Sequence, residues 1–564
     1  MSFDTTDPKS LNAELEAAIT NLAPYHIEMS KQREYYQTSA FYQRKSGEQQ
    51  QKQELSANLL RVFADKNIHY ISDFPVMKVP VMGADQYARE AASLREKILY
   101  AVHRSSNTPV LQSKWADDTT VMSVAVAETG FDLDKRCAFV KRYDPRYVYW
   151  QLSNDNDRRV VAFWAVFPIT DEECEQKYGF KPTGGITSSV VPGDPYLTAI
   201  DGKNWHTMAI RWDANTRVAW VGDRLIEEPH DHLMGEIPID ICMPFGDYNT
   251  NGEGSFYLTP MLPLQAELNH TLKQRANIVQ RMANPLVWGR GIISKQFDDI
   301  KNNLAKGGGG FVGLKAQGEM GLLQVQETSL LDKHIEQLQN DMMRLSNFSA
   351  ASFGENVGAN TSGNALDMYY SPTEKFVAKQ QIHWTAFYQS INAKILKFTE
   401  KFGKAGEQMS ISGYAPASTV PVLGGKGLSD RKYQGGAFSE KFDPKEIIAG
   451  NYINVVTWPP VTPKNDIAEK TFWLNAMQQG QISKTTGYDK LGFDSPQDEL
   501  DLLTQEQNEP ALNPEGTTKI MDSAASFMQA QNPQTPTANP LLPTGQPGGA
   551  LPAAQPQPVV ANGA

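Results

Sequence analysis

Cysteine is scarce. Cys137, Cys174 and Cys242 are the three in 564 residues, they lie far apart, and no CxxC pair exists. An odd count cannot complete a disulfide framework, so the three read as small buried side chains in a reducing compartment. A run of about 20 apolar residues, the length that spans a bilayer, is also missing. Residues 1–22 carry Asp4, Asp7, Glu14 and Glu16 and have no apolar core of signal-peptide type. The expectation is a chain soluble and cytosolic when made, with no membrane partner. Positive charge is short as well: 53 Lys and Arg stand against 64 Asp and Glu, a net charge of −11. A tight, static nucleic-acid binder needs a basic surface to release counterions, so that class is disfavoured, although a local basic strip is not.

Signatures of chemistry are missing too. No GxxxxGK[ST] phosphate loop occurs, and Gly424-Gly425-Lys426-Gly427 lacks the hydroxyl residue that holds magnesium. Neither HExxH nor GxSxG is present, and no acid pair stands out as a catalytic dyad. Residues 308–313 match GxGxxG literally, but they precede a strand where a dinucleotide fold requires a helix. Asp247-Tyr248-Asn249-Thr250-Asn251-Gly252 opens like a calcium loop, yet Leu258 stands where the bidentate glutamate is needed. His230-Asp231-His232 beside Glu227 and Glu228 has ligand chemistry but no second cluster nearby, so a solvated loop is expected there. No cofactor, no metal and no enzymatic activity is expected.

What the chain does have is size, aromatics and an ordered series of patterns. With 10 Trp, 21 Tyr, 24 Phe and an apolar fraction of 40%, it can fill several cores. Leu11, Leu15, Ile19 and Leu22 fall at helical spacing, with Pro24 expected to interrupt, and helical character extends through residue 66. Residues 69–247 shift to short Val-, Tyr-, Trp- and Phe-rich runs, with a helical interruption over 84–102. The runs 147–152 and 160–164 flank Asn154-Asp155-Asn156-Asp157, and 217–221 and 224–226 flank Gly222-Asp223. Both are hairpin signals. A long helix follows over 260–285, with Pro260 and Pro263 at its start and Leu264, Leu268, Leu272 and Val279 on one face. A second, of about 26 residues and about 40 Å, carries Leu331, Ile335, Leu338, Met342 and Leu345 in heptad spacing. A third, over 365–402, contains Pro372, which should kink it. Residues 404–450 read as Gly-rich and irregular. A strand over 452–458 ends at Pro459-Pro460, and short helices are expected over 466–479 and 496–507. The tail from 508 is rich in Pro, Gln and Ala and lacks a core-forming pattern.

Basic residues gather on the first long helix and its exit: Lys273, Arg275, Arg281 and Arg290 against Glu267. Lys295, Lys301, Lys306 and Lys315 follow. Such a run suits phosphates or simply a solvated face.

The order of these pieces resembles the portal proteins (head–tail connectors) of tailed double-stranded DNA bacteriophages. Gly235-Glu236-Ile237-Pro238-Ile239, then residues 252–269 with Pro260-Met261-Leu262-Pro263, resemble the family's passage from wing strand to first stem helix. Asn284-Pro285-Leu286-Val287-Trp288-Gly289 resembles the stem-to-clip junction. Phe353-Gly354 and Thr361-Ser362-Gly363-Asn364-Ala365 resemble the tunnel loop and the start of the long kinked helix. Trp458-Pro459-Pro460, Asp466, Gly480-Gln481-Ile482-Ser483-Lys484-Thr485-Thr486 and Asp498-Glu499-Leu500 resemble the last wing strand and the crown.

The resemblance implies an α+β portal-type fold: a mixed wing, two long stem helices flanking a small α/β clip, a kinked long helix and a helical crown, assembled as a ring. On this sequence that places N-terminal helices and wing at 1–257, stem helices at 258–285 and 327–352, and the clip at 286–326 between them. The tunnel loop falls at 353–364, the kinked helix and wing strands at 365–460, the crown at 461–507 and a tail at 508–564. It further implies a homo-oligomer, normally a dodecamer, at the portal vertex of the virion capsid, put together in the bacterial host cytoplasm. The expected partners are double-stranded DNA in transit, the terminase large subunit, a head–tail adaptor, and the major capsid and scaffolding proteins. Lys273, Arg275, Arg281, Glu355, Asn356, Asn360 and Thr361 become candidates for the DNA channel, and Lys295, Lys301, Lys306 and Lys315 for motor docking at the clip. Twelve copies would carry −132 in total, a field that repels DNA overall and leaves local cations to guide it. The alternative is another virion structural protein, a head–tail adaptor or a tail component.

Overall fold

Asp7 caps the first helix by accepting a hydrogen bond from the Lys9 amide at 3.2 Å, and Pro8 follows in the first turn, where its missing N–H costs nothing. The computed structural model describes residues 7–37, 57–81, 86–153, 160–183, 205–245, 255–283, 287–290, 319–322, 329–354, 363–403, 406, 408–415, 422–423, 431–432, 436–461, 467–491, 500 and 503. Helix α1, Pro8–Tyr36, runs through Pro24 without a break. The interruption expected there does not occur. Leu11, Leu15, Leu22, Tyr25 and Met29 form a fully buried stripe, and its packing outweighs the single backbone bond that proline removes. Helix α2, Leu59–Ile71, is capped by Asn58, whose side chain accepts from the Arg61 amide at 3.1 Å. Strand β1 is Val76–Lys78, and helices α3, Gln86–Ser105, and α4, Thr108–Met122, follow.

The β-rich region forms two antiparallel sheets. One has the order β3-β2-β9, from Ala125–Asp132 (β2), Cys137–Tyr143 (β3) and Ile239–Cys242 (β9). The other is a five-stranded meander of Val148–Leu152 (β4), Val160–Thr170 (β5), Trp205–Trp212 (β6), Thr216–Val221 (β7) and Arg224–Asp231 (β8). Both hairpins read from the sequence are present, with Val148 opposite Ala165 and Trp220 opposite Leu225. Strand β5 is buried from Ala162 through Val166, so it shows no alternation, because both faces are covered. On one side α1 stacks His26 on Tyr149 at 4.6 Å and offers the Asn12 side-chain oxygen to the Trp220 indole N–H at 2.7 Å. On the other, Tyr143 of β3 meets Phe163 and Trp212 at ring distances of 6.0 Å. Helix α5, Asp171–Tyr178, closes β5 with a capping box between Thr170 and Glu173. Of the three cysteines, Cys174 and Cys242 are buried, whereas Cys137 is partly exposed at the start of β3.

Helix α6, Leu262–Ala283, strands β10, Val287–Arg290, and β11, Glu319–Leu322, and helix α7, Ser329–Leu345, come next. Helix α7 has 17 residues rather than the 26 expected. Its last turn closes from the Ser346 amide to the Met342 carbonyl at 3.0 Å, and Asn347 then adopts a left-handed conformation, φ 62°, that ends the helix. Helix α8, Gly363–Phe402, continues unbroken through Pro372 for 40 residues. Its second half, Trp384 to Leu396, packs in a core with Trp115 of α4 and Leu99 of α3.

Residues 404–450, read as irregular, contain an antiparallel ribbon instead. Met409–Ala415 (β12) pairs with Gly436–Phe442 (β15) along its full length, with Val422–Leu423 (β13) and Arg431–Lys432 (β14) paired nearer the tip. The glycines that obscured the pattern have a packing role. A Cβ at Gly413 would crowd the Phe438 ring at 3.0 Å and the Ala101 backbone of α3 at 3.2 Å, so glycine lets the ribbon lie close on that helix. The short helix α9, Pro444–Ile448, leads to β16, Val455–Thr457, which pairs with β1.

Contacts divide the chain into two units, 1–466 and 467–564. The second holds α10, Ile467–Gln478, and α11, Lys484–Leu491. Gly487 lies where a Cβ would strike Met477 Sδ at 2.6 Å, so its absence permits the two helices to touch. Helix α11 was not expected. Of the helix expected over 496–507, only residues 500 and 503 are described.

Candidate nucleic-acid interface

The helix pair α6–α7 is rooted by buried polar contacts. Gln265, fully buried, accepts the Leu59 amide at 3.0 Å through Oε1 and donates to the Ala57 carbonyl at 2.6 Å through Nε2. One side chain thus satisfies the exposed start of α2 and fixes α6 against it. Gln32 of α1 donates to Thr259 Oγ1 at 2.8 Å just before α6. Apolar packing adds Leu258, Met261 and Leu268 against Ile335, Leu338 and Met342 of α7.

The two helices are antiparallel. Contacts run from Tyr257 with Ser346, through Glu267 with His334 at 3.7 Å, to Arg275 with Asp332 at 2.7 Å, so numbers rise along one helix as they fall along the other. The root is buried and the far end is not. Residues Lys273, Gln274, Arg275, Ala276 and Asn277 are all exposed. Five in a row exceed one helical turn, so α6 presents no buried face there and stands clear of the body. Val279 (51% exposed) and Leu330 (78%) extend this uncovered end. The chain then leaves α6 and returns to α7 through the β10–β11 pair, Val287 opposite Leu322 and Arg290 opposite Glu319.

Of the cationic candidates on α6, Lys273 is exposed, and Arg275 reaches across to Asp332. That pair is about half exposed, so its contribution to stability is small; its effect is to orient the guanidinium along the helix pair. The side chain of Arg281 lies outside the described residues, as do Lys295, Lys301, Lys306, Lys315, Glu355, Asn356, Asn360 and Thr361. The ends of the 355–362 segment are described. On one side, the turn Ala350–Phe353 is tied to α8 by Tyr370, which donates to the Ala351 carbonyl at 3.1 Å. Thr373 Oγ1 accepts the Ser349 amide at 3.1 Å.

Two further cations went unnoticed in the sequence. Lys375 and Lys379 lie on an exposed stripe of α8 with Met368, Pro372, Ile382 and Ala386. The spacing of 4, 3, 4, 3 and 4 residues is regular, and it was legible beforehand as the complement of the Trp384 to Phe402 face.

The motifs weighed for chemistry do not converge. Among the described residues no group of three His, Cys, Asp or Glu side chains is placed to hold a metal ion. His230 is on strand β8, where a solvated loop was expected, and it turns to Glu227 at 3.3 Å. His232 is buried and bonds the Asp213 carbonyl at 2.9 Å. The Asp247 loop lies outside the described residues apart from 255–258, of which Tyr257 and Leu258 are in the core. Asp118 is fully buried, and burial lifts its pKa to about 7 even though it binds Arg142 through both oxygens. It joins α4 to β3 in the body, away from the helix pair. No described helix is long and apolar enough to cross a membrane.

The described residues thus form a mixed α+β body that carries an antiparallel helix pair. The family model for phage portal protein, SPP1 Gp6-like, matches residues 24–511, and the chain belongs to that family. No curated protein matches the chain. Membership makes it a bacteriophage protein of a structural family found at the capsid vertex.

Proposed function

We propose that this chain forms the ring-shaped DNA channel at one capsid vertex, docks the terminase motor during genome packaging, receives the tail or an adaptor afterwards, and conducts DNA on ejection. The family match over 24–511 carries the reading. In it, α6 and α7 are the stem, residues 286–326 the clip that meets the motor, and 353–364 the tunnel loop. The uncovered end of α6 supports the stem assignment, since a helix with no buried face in one copy acquires one by packing on the next. Head-to-tail contacts close into a ring when the rotation per subunit divides a full turn.

Lys273, Arg275 and Arg281 then act as weak cationic guides within a ring of net negative charge. A conduit must not hold its cargo, so a few screened cations on an acidic particle suit transit better than a basic tunnel. Electron microscopy of the purified chain is expected to show closed rings with a central channel. Packaging by particles carrying Lys273→Gln with Arg275→Gln is expected to fall, with the deficit growing as salt is lowered. A compact monomer without rings at high concentration would overturn the channel reading, and unchanged packaging at every salt concentration would overturn the guidance.

A further inference from the structure

Helix α8 has one face that its own body leaves open. Thr373, Val377, Gln380 and Trp384 fall at helical spacing and are all buried. Thr373 Oγ1 accepts the Ser349 amide at 3.1 Å, and Gln380 Nε2 donates to Asn67 Oδ1 at 2.9 Å, so polar ties as well as packing fix this side of the helix. The stripe Met368, Pro372, Lys375, Lys379, Ile382 and Ala386 lies on the opposite side. Its ends are open, with Met368 78% exposed and Ile382 69%.

This stripe is cationic in an acidic chain. The exposed residues of α8 between Met368 and Ala386 are Met, Tyr, Pro, Lys, Ala, Ile and His. None is a carboxylate, although Asp and Glu number 64 against 53 Lys and Arg. Glu374 lies off the stripe and is partly buried. Among the described residues the ion pairs of α8 are made by Lys394 with Asp240 and by Lys397 with Glu236, both beyond the stripe, and neither Lys375 nor Lys379 forms one. The heptad-like spacing suits a neighbouring helix. An apolar helix laid there would bury two ammonium groups without partners, which is strongly unfavourable. A polyanion needs no such burial, because its phosphates pair with lysines at the surface and release counterions.

We propose that Lys375 and Lys379 bind the phosphodiester backbone of double-stranded DNA, a contact separate from the cations of α6 that rests on the channel reading for its ligand. Four residues of helix rise about 6 Å. One strand of B-DNA presents a phosphate about every 3.4 Å of its axis, so the two flexible ammonium groups reach nearby phosphates of one strand. Pro372 and Ala378 beside them are small and leave the approach clear. The contact reads no sequence, because it touches the backbone alone. Two exposed lysines in each copy hold weakly and are screened by salt, which suits a cargo that must move past them.

The test is photocrosslinking of the full-length chain with p-benzoylphenylalanine in place of the exposed Ala378, illuminated with a fluorescent DNA duplex over a range of salt. A DNA adduct is expected at low salt. Lys375→Gln with Lys379→Gln, checked for unchanged circular dichroism, is expected to cut its yield about fivefold or more. The same variant should flatten the salt dependence by about 0.9 in log–log slope for each lysine that had met a phosphate. The proposal is overturned if no DNA adduct forms at low salt, if the double variant leaves the yield unchanged at every salt concentration, or if the adduct joins one copy of the chain to another, which makes the stripe a subunit interface. Negative-stain images of the same sample judge the channel separately. Rings without a DNA adduct overturn the lysine contact and leave the channel standing, whereas a lysine-dependent adduct without rings supports the contact and overturns the channel.

Discussion

Replacing His26 by phenylalanine should make the chain progressively more stable relative to the wild type as the solution is acidified. His26 is 1% exposed in the core beneath the five-stranded sheet, stacked on Tyr149 at 4.6 Å, with the backbone of Arg146 and Val148 beside its ring. Burial holds its pKa at about 4, against an ordinary 6.5. Between those values the unfolded chain takes up a proton that the folded chain refuses. Stability fully present above pH 6.5 is therefore lost as pH falls toward 4. Linkage over these two values gives a loss of about 2 kcal/mol between pH 7 and pH 5.

The wild-type curve alone would conceal this. Buried Glu96 is raised to about 7 by desolvation, and its contribution has the opposite sign: it is gained as pH falls below 7. The gap between variant and wild type isolates the histidine. Urea unfolding followed by tryptophan fluorescence is the assay, because Trp150, Trp164, Trp212 and Trp220 share the core with the Tyr149 ring on which His26 stacks. A gap that stays within about 0.5 kcal/mol from pH 7 to pH 5, where linkage requires about 2, would refute the reasoning.

Asp118→Asn should cost about 1–3 kcal/mol, because it leaves one of the two carboxylate bonds to the Arg142 guanidinium unmade; the shift in urea midpoint measures it. Gln265→Leu should cost about 2 kcal/mol by stranding the Leu59 amide and the Ala57 carbonyl. Hydrogen exchange at the start of α2 should speed up in that variant while exchange in β5 does not, and equal acceleration in both would contradict a local tie.

Patterns local in the chain were legible from composition and spacing alone. The hairpins β4–β5 and β7–β8 were visible because each is a few neighbouring residues around a turn, and the buried stripe of α1 because helical spacing repeats whatever it packs on. The order of helices and strands sufficed for the family resemblance. Tertiary structure decided the rest. Pro24 stays inside a helix because distant partners cover that helix. Met409–Ala415 and Gly436–Phe442 pair as a ribbon that lies on α3, with Gly413 at the close approach. Leu345 carries the heptad spacing yet is 44% exposed, since α7 ends where Asn347 turns. The same division holds at the candidate interface: the positive charge of Arg275 is written in the sequence, but its pairing with Asp332 depends on how the fold lays α7 beside α6. Spacing along a chain records which residues share a face, whereas burial of that face depends on contacts hundreds of residues away.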